Sequence, residues 1–425
     1  MKKIKFSLLL TLALSITTSI MPGTKAKAAG EPPTIQGLAA VTLDYETGEI
    51  IYAKNIDDKM YPASTTKLMT AILFAENKQK TDTITYTEDA YKQPAYSLRS
   101  EIYFNLKVGD TMSAADVMNA MLLFSGNDTA YMVADAVAGD ATSFVKMMND
   151  KAKELGMTNT NFVTANGLHD PNHYSTAYDL AILGTAAYKN EWVRESIGTK
   201  EAKITLLSTG QPAYIENRNK LLGVDGNLGG KTGYTSPAGK CLVSIYERDG
   251  RKIVGVVLKA PYDEKDTAVF NDMKKIIDYS YGVEKSVLKE KNSELGTAEL
   301  QYKVFKFFGP TKTIKVPYII KDDVTYYEND LNKEETKLNV QLNDIDPWKL
   351  STDKSIGKLL ITQRDSQPTR NVDIYPTISS DALISANKGL YIGAAVAGIA
   401  ILAVLIFIIA IIKKSASKRR RRNYF

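Results

Sequence analysis

Apolar and polar positions along the chain divide it into stretches of different period. Residues 39–53 alternate in twos: Ala39 to Leu43, then a polar turn with Gly48, then Glu49 to Ala53. This pattern predicts a hairpin. From Ser64 the period lengthens, with Leu68, Ile72 and Ala75 on one helical face, and helices are expected again over 113–124, 127–137, 141–155 and 176–189. Strands return at 240–247 and 251–259 around Asp249-Gly250, followed by a helix over about 264–281. Strand pair, helical middle, strand pair and helix describe an antiparallel sheet packed by helices, an α+β arrangement.

After Gly282 helical period disappears. Tyr302 to Phe308, Thr313 to Ile320, Leu338 to Leu342 and Lys358 to Thr362 read as short strands, so 284–378 is expected to be a small all-β domain, with 379–389 a linker. Leu390 to Ile412 is 23 residues without a charge, long enough at about 1.5 Å per residue to span a membrane core. At the other end, Phe6 to Met21 is an uncharged, mostly apolar run behind three lysines, and Ala26-Lys27-Ala28 offers small residues for cleavage. The expected organisation is therefore a signal peptide at 1–28, a mixed α/β domain at 29–283, an all-β domain and linker at 284–384, and a transmembrane helix (about 390–412) with a basic tail at 385–425.

Charge changes the picture. The net +6 suggests a polyanion binder, but the signal segment carries +5 and the tail after Ile412 carries +7, leaving 6 − 12 = −6 for residues 29–412. No nucleic-acid partner is expected. The seven cations behind the apolar run place the C-terminus in the cytoplasm and the body of the chain outside the cell. The single cysteine, Cys241, and two histidines, His169 and His173, exclude a disulfide framework and multi-cysteine zinc modules. Cys241 reads as a small core residue, and the histidines as loop fasteners.

Candidate chemistry starts at Ser64-Thr65-Thr66-Lys67. On a helix, positions i and i+3 share a face, which brings the Lys67 amine towards the Ser64 hydroxyl. A lysine deprotonates a serine only when burial or another cation lowers its pKa. S-x-x-K occurs seven times here, at Ser64, Ser143, Ser286, Ser351, Ser355, Ser385 and Ser415, but only the Ser64 copy opens an apolar helix inside the mixed region. Ser125-Gly126-Asn127 follows between two helices, where capping alone could explain it. Lys231-Thr232-Gly233 is the only K-T-G; its lysine suits a carboxylate and could lower the pKa of Lys67.

The three elements in this order match the set shared by penicillin-binding proteins and class A β-lactamases. With Tyr61-Pro62-Ala63, Asn166 to Asp170, Tyr174 to Ala177, Asn217 to Leu222 and Tyr234-Thr235, residues 36–283 resemble the D-alanyl-D-alanine carboxypeptidases, low-molecular-mass penicillin-binding proteins. The resemblance implies a β-lactamase/transpeptidase-like fold without metal or other cofactor. It implies Ser64 as acylated nucleophile, Lys67 as general base, Ser125 as proton relay and Asn127 as anchor for Lys67 and the substrate amide. Lys231, Thr232 and Thr235, helped by Arg218, would receive the terminal carboxylate beside Gly233. The backbone N–H groups of Ser64 and Tyr234 would form the oxyanion hole. The substrate would be a peptidoglycan stem peptide ending in D-Ala-D-Ala, with β-lactams as inhibitors and the cytoplasmic membrane as the other partner. Two alternatives share the motifs: a class A-like β-lactamase, against which Gly126 stands where S-D-N has aspartate, and a wall-peptide or β-lactam binder with little turnover. Val269 occupies the position where many relatives carry an arginine.

Overall fold

The computed structural model describes residues 30–94, 96–364 and 370–422, with side chains described to residue 416 of the last helix. The signal-peptide reading lies outside the described residues, as do the side chains of the last five cations of the basic tail.

The centre is a five-stranded antiparallel sheet. Its strands are β1 (Ala39–Asp44), β2 (Ile50–Lys54), β3 (Asn227–Thr235), β4 (Gly239–Arg248) and β5 (Arg251–Ala260), in the spatial order β2-β1-β5-β4-β3. The period-two pattern is realised on both faces. Val243, Ile245, Val254 and Val256 enter one core with the helices Lys67–Asn77 (α1), Asn127–Ala138 (α2) and Ala177–Lys189 (α3). Leu242, Tyr246, Ile253 and Val257 enter a second core under Ala268–Gly282 (α4). A sheet apolar on both faces must be covered twice, and it is.

α4 starts four residues later than its pattern suggests. Asp263 accepts the backbone N–H groups of Thr267 (2.9 Å) and Ala268 (2.7 Å), so the preceding turn closes on a side chain instead of on helical carbonyls. The helix expected over 113–124 begins as a strand, Thr111–Ser113, and ends in a π turn, Ala120–Phe124. The segment 201–216, without an expectation of its own, is a hairpin.

A second five-stranded antiparallel sheet is built from Glu294–Lys303, Thr311–Ile320, Thr336–Leu342, Gly357–Gln363 and Arg370–Pro376. The run Tyr302 to Phe308 is not a strand: the strand ends at Lys303, and Val304 to Pro310 form the hairpin tip. Left-handed backbone at Lys306 (φ 67°) and Gly309 (φ 92°) breaks extended geometry there. The stretch read as a linker is instead helical and packed. Helix α5 (Asp381–Ala386) buries Leu383 with Tyr302 and Val304, and Asn387 bonds the Tyr302 hydroxyl at 2.6 Å. Helix α6 (Lys388–Arg422) follows directly; by length and composition it can cross a membrane, and apart from the half-buried Tyr391 its described side chains are exposed.

Candidate active site

Ser64 lies in a short 3-10 turn, Ala63–Thr66, and Lys67 opens α1. The turn is held in an uncommon shape. Ala63 is left-handed (φ 48°) although it carries a Cβ, and such strain persists only where neighbours enforce it. Two glycines are those neighbours. At Gly167 (φ 81°) a Cβ would collide with the Ala63 carbonyl, so that loop can lie flat on the turn. At Gly233, on edge strand β3, a Cβ would stand 3.0 Å from the Ser64 nitrogen, so the strand backbone passes directly beside Ser64.

The Lys67 amine is fully buried. Its Nζ lies 2.9 Å from Ser64 Oγ, 3.0 Å from Asn127 Oδ1 and 2.8 Å from the Asn166 carbonyl. A neutral amine has two hydrogens and one lone pair, so it can donate to Asn127 and Asn166 and accept from Ser64. An ammonium can donate to all three. The same geometry thus satisfies base and conjugate acid without rearrangement. Burial, then the positive field of Arg218, lowers the Lys67 pKa to about 7, with Asp128 opposing.

Lys231, on β3, is buried equally deeply and reaches Ser125 Oγ (2.9 Å) and the Thr232 carbonyl (3.2 Å). Its pKa lies well below the ordinary value because of burial, then repulsion from Lys67 and Arg218. Lys67 and Lys231 repel each other, and this mutual repulsion adds to burial and the field of Arg218 in disfavouring two ammonium groups side by side. Ser125 is itself left-handed (φ 75°), which turns its hydroxyl off the π turn towards Lys231. Asn127 opens α2. Residues 64, 67 and 127 form one bonded set and 125 and 231 a second, and the two sets adjoin through the backbone at Gly126, across 168 positions of sequence.

The remaining candidates are placed less tightly. The Arg218 guanidinium lies against the rings of Phe124 (5.0 Å) and Tyr96 (5.3 Å). The Thr235 hydroxyl accepts the Ala238 N–H (3.2 Å) in the turn after β3. Thr232 is half-buried on β3, and the Tyr234 ring packs on Tyr262 at 5.4 Å, outside the buried cluster. Val269 does not face the cleft; it is buried in the core under α4, so a cation there would have to leave that core. Gly126 has no room for a Cβ beside the Thr129 hydroxyl, 2.7 Å from where that atom would stand.

Several supporting residues escaped the sequence reading. Asp128, fully buried, accepts from the backbones of Leu98 (2.9 Å), Thr129 (3.0 Å) and Arg99 (3.3 Å) and from the Tyr86 hydroxyl (3.0 Å), tying the start of α2 to the loop above it. His173 Nδ1 accepts from the Val163 and Thr164 N–H groups (3.0 and 3.2 Å), so Nε2 carries the proton and donates to Thr66 (2.9 Å). Burial pushes its pKa down to about 4, which keeps it neutral. His169 packs edge-on against Tyr61 at 4.6 Å. The loop-fastening by hydrogen bonds expected for the histidines is seen at His173, while the contact shown by His169 is its ring against Tyr61. Cys241 is buried and burial raises its thiol pKa to about 11, as suits an inert core residue. Lys240, paired in register with Tyr234, lies over the rings of Tyr234 and Tyr262 and pairs with Asp266 at 2.7 Å.

Comparison with known proteins bears on the same region. A family model described as D-alanyl-D-alanine carboxypeptidase matches residues 25–262. D-alanyl-D-alanine carboxypeptidase DacC of Escherichia coli is 36% identical over 266 residues, 60% of this chain and 64% of that protein, just under two thirds of its length. DacF of Bacillus subtilis is 29% identical over 342 residues, covering 79% of this chain and 85% of the relative. Among solved structures, penicillin-binding protein 5 of Haemophilus influenzae superposes with a TM-score of 0.58 at 27% identity, over 81% of this chain and 98% of that one, a coverage too long for the first sheet alone. A serine and a lysine brought together in a buried cluster, inside a stretch that the family model spans nearly end to end, agree with one another, and the chain belongs to the D-alanyl-D-alanine carboxypeptidase family of peptidases.

Proposed function

We propose that this chain is a membrane-tethered serine carboxypeptidase that removes the terminal D-Ala from peptidoglycan stem peptides through an acyl-enzyme on Ser64. The observation that carries the reading is a buried amine, Lys67, 2.9 Å from the Ser64 hydroxyl with its pKa lowered to about 7. A base poised near neutrality has the driving force to take the serine proton and the neutral population to do so.

The steps follow from charge. The two buried lysines repel each other, so the empty site disfavours two ammonium groups. The C-terminal carboxylate of the substrate holds the proton on Lys231, assisted by the Thr232 and Thr235 hydroxyls and the field of Arg218. That charge favours neutral Lys67. Lys67 accepts the Ser64 proton as Oγ attacks the carbonyl carbon, and the backbone N–H groups of Ser64 and Tyr234 receive the oxyanion. The C–N bond breaks, the proton taken from Ser64 passes from Lys67 through the Ser125 hydroxyl to the departing amine, Lys67 is neutral again, and D-Ala leaves. Water, deprotonated by Lys67, then attacks the ester and restores Ser64. The balance is peptide plus water giving shortened peptide plus D-Ala. A β-lactam enters the same sequence, but its leaving nitrogen stays tethered to the adduct. Because β3 is an edge strand, its outer backbone can pair with an extended peptide.

Purified full-length protein should release D-alanine from a D-Ala-D-Ala stem peptide and form a penicillin adduct on the tryptic peptide containing Ser64. Ser64→Ala should lose both. Release that survives the substitution defeats the assignment, and an adduct without release favours the binder with little turnover.

Residues 1–28 act as a cleaved signal and α6 as a single-pass anchor with its basic end in the cytoplasm and the catalytic domain outside, on the strength of the seven cations behind its apolar run. Impermeant fluorescent penicillin should label intact cells, while a C-terminal tag stays protected from external protease. The part built on the second sheet, 284–384, is not all-β as expected, since it also holds the short helix Asp330–Glu335 and the start of α5, and it serves as a spacer above the membrane.

A further inference from the structure

The second sheet ends, next to α6, in a hairpin tip with no folding rationale for its composition. Phe307 and Phe308 are 79% and 66% exposed, in a stretch whose left-handed backbone presents them outward. Residues 303–315 carry four lysines, Lys303, Lys306, Lys312 and Lys315, and no acid. Adjacent exposed phenylalanines between lysines are costly in water and ordinary at a lipid headgroup boundary.

The position of the tip selects its partner. Tyr391 stands in the first turn of α6, one residue after the apolar run begins at Leu390. Its hydroxyl donates to the Val304 carbonyl and its ring packs edge-on against Phe305 at 5.4 Å. Phe305 in turn stacks on Phe308 at 5.2 Å. The tip is therefore fixed at the level where α6 would leave the hydrocarbon. Trp348 reinforces that level, its indole N–H donating to the Lys303 carbonyl at 3.1 Å. The connection is also short: α5 is packed on Val304 and Tyr302, so no slack separates the tip from the helix.

We propose that the 304–309 tip is a second membrane contact, with Phe307 and Phe308 seated among acyl chains near the headgroups and the lysines on anionic lipid. It turns a flexible tether into a two-point mount that fixes the tilt of the body over the bilayer. The inference rests on the reading of α6 as the anchor. Lipid is the occupant, rather than a protein partner, because the patch is continuous with the apolar surface of that helix.

The test uses full-length protein reconstituted in anionic vesicles, with an environment-sensitive fluorophore on Phe307→Cys and, separately, on Ile399→Cys in the middle of α6. Native Cys241 is buried and should not label. Fluorescent penicillin binding checks that each variant is folded. The expected result is a blue-shifted probe at 307 that loses most of its emission to lipids with a quencher near the headgroup, and far less to lipids quenching at the bilayer centre; the probe at 399 shows the opposite order. A water-like, unquenched probe at 307 beside a quenched probe at 399 overturns the second contact and leaves the anchor standing. Two unquenched probes overturn both. Phe307→Ser with Phe308→Ser gives an independent readout: a probe on neighbouring Lys306→Cys should lose its quenching in that background, and unchanged quenching counts against the two rings.

Discussion

The Lys67 amine shows how far one residue's chemistry depends on its surroundings. With a pKa of about 7, it is protonated below neutrality and cannot accept from Ser64. Acylation by penicillin should therefore fall about tenfold per pH unit on the acid side of about 7, measured by adduct formation. A limb that breaks near 10 instead would mean an ordinary lysine and another base. Asp128 acts through its neighbours. All four of its partners donate, so Asp128→Asn sets an amide hydrogen against a donor and should cost about 2–3 kcal/mol in urea unfolding. Acylation should slow with it, because Asn127 is the adjacent residue. His173 gives a different signature. Its native pKa of about 4 lies below the ordinary histidine value of 6.5, so the unfolded chain takes up the proton first as pH falls. Stability should decline from about pH 6.5 and level off below about 4, losing up to about 3 kcal/mol. His173→Gln should flatten that decline.

At the scale of elements, the Ser64 turn is a wedge between the Gly167 loop and edge strand β3. Gly233→Ala places a methyl 3.0 Å from the Ser64 nitrogen, against backbone that cannot swing aside. The strand is at an edge, so it can retreat at small stability cost, but a displacement of a few tenths of an ångström misplaces both Lys231 and the oxyanion donors. Acylation should drop about tenfold or more while the melting temperature moves little; an unchanged rate would show the contact to be slack. Much of this was legible: S-x-x-K with K-T-G picked out a serine and two lysines that the fold brings to one buried region. The loop holding Asn166 and Gly167 was legible only as part of a resemblance, since no local pattern says that its carbonyl meets an amine 99 residues away. Asp128 was invisible because a helix-start aspartate looks like ordinary capping.

Across the whole molecule, the two sheets are bonded to each other. Glu49, 5% exposed at its side chain, pairs with Lys285 (2.6 Å) and Arg370 (3.5 Å). The Tyr327 hydroxyl donates to Asp44 at 2.9 Å, and Asn332 donates to the Ile50 carbonyl at 2.7 Å. Glu49→Ala leaves two cations without their acid and should cost about 2 kcal/mol. In calorimetry a single transition should begin to split as the second sheet uncouples; a variant melting like the parent would make the contact incidental. Deleting 284–378 while keeping the anchor should lower processing of intact wall but not of soluble peptide. Unchanged processing of wall argues against a spacer.

The alternation of apolar residues determined the central hairpins, the two covered faces of the sheet and the long apolar helix, because burial and period are local properties of a chain. The order of three short motifs pointed to the proposed chemistry, because few arrangements of serine, lysine and glycine activate a hydroxyl. Only the tertiary structure decided that Lys67, Lys231 and Arg218 share one field, that Val269 belongs to a core, and that Phe305 to Phe308 make a hairpin tip instead of a strand. Those outcomes depend on distances between segments far apart in the chain, on burial and on left-handed backbone, none of which a pattern of letters records.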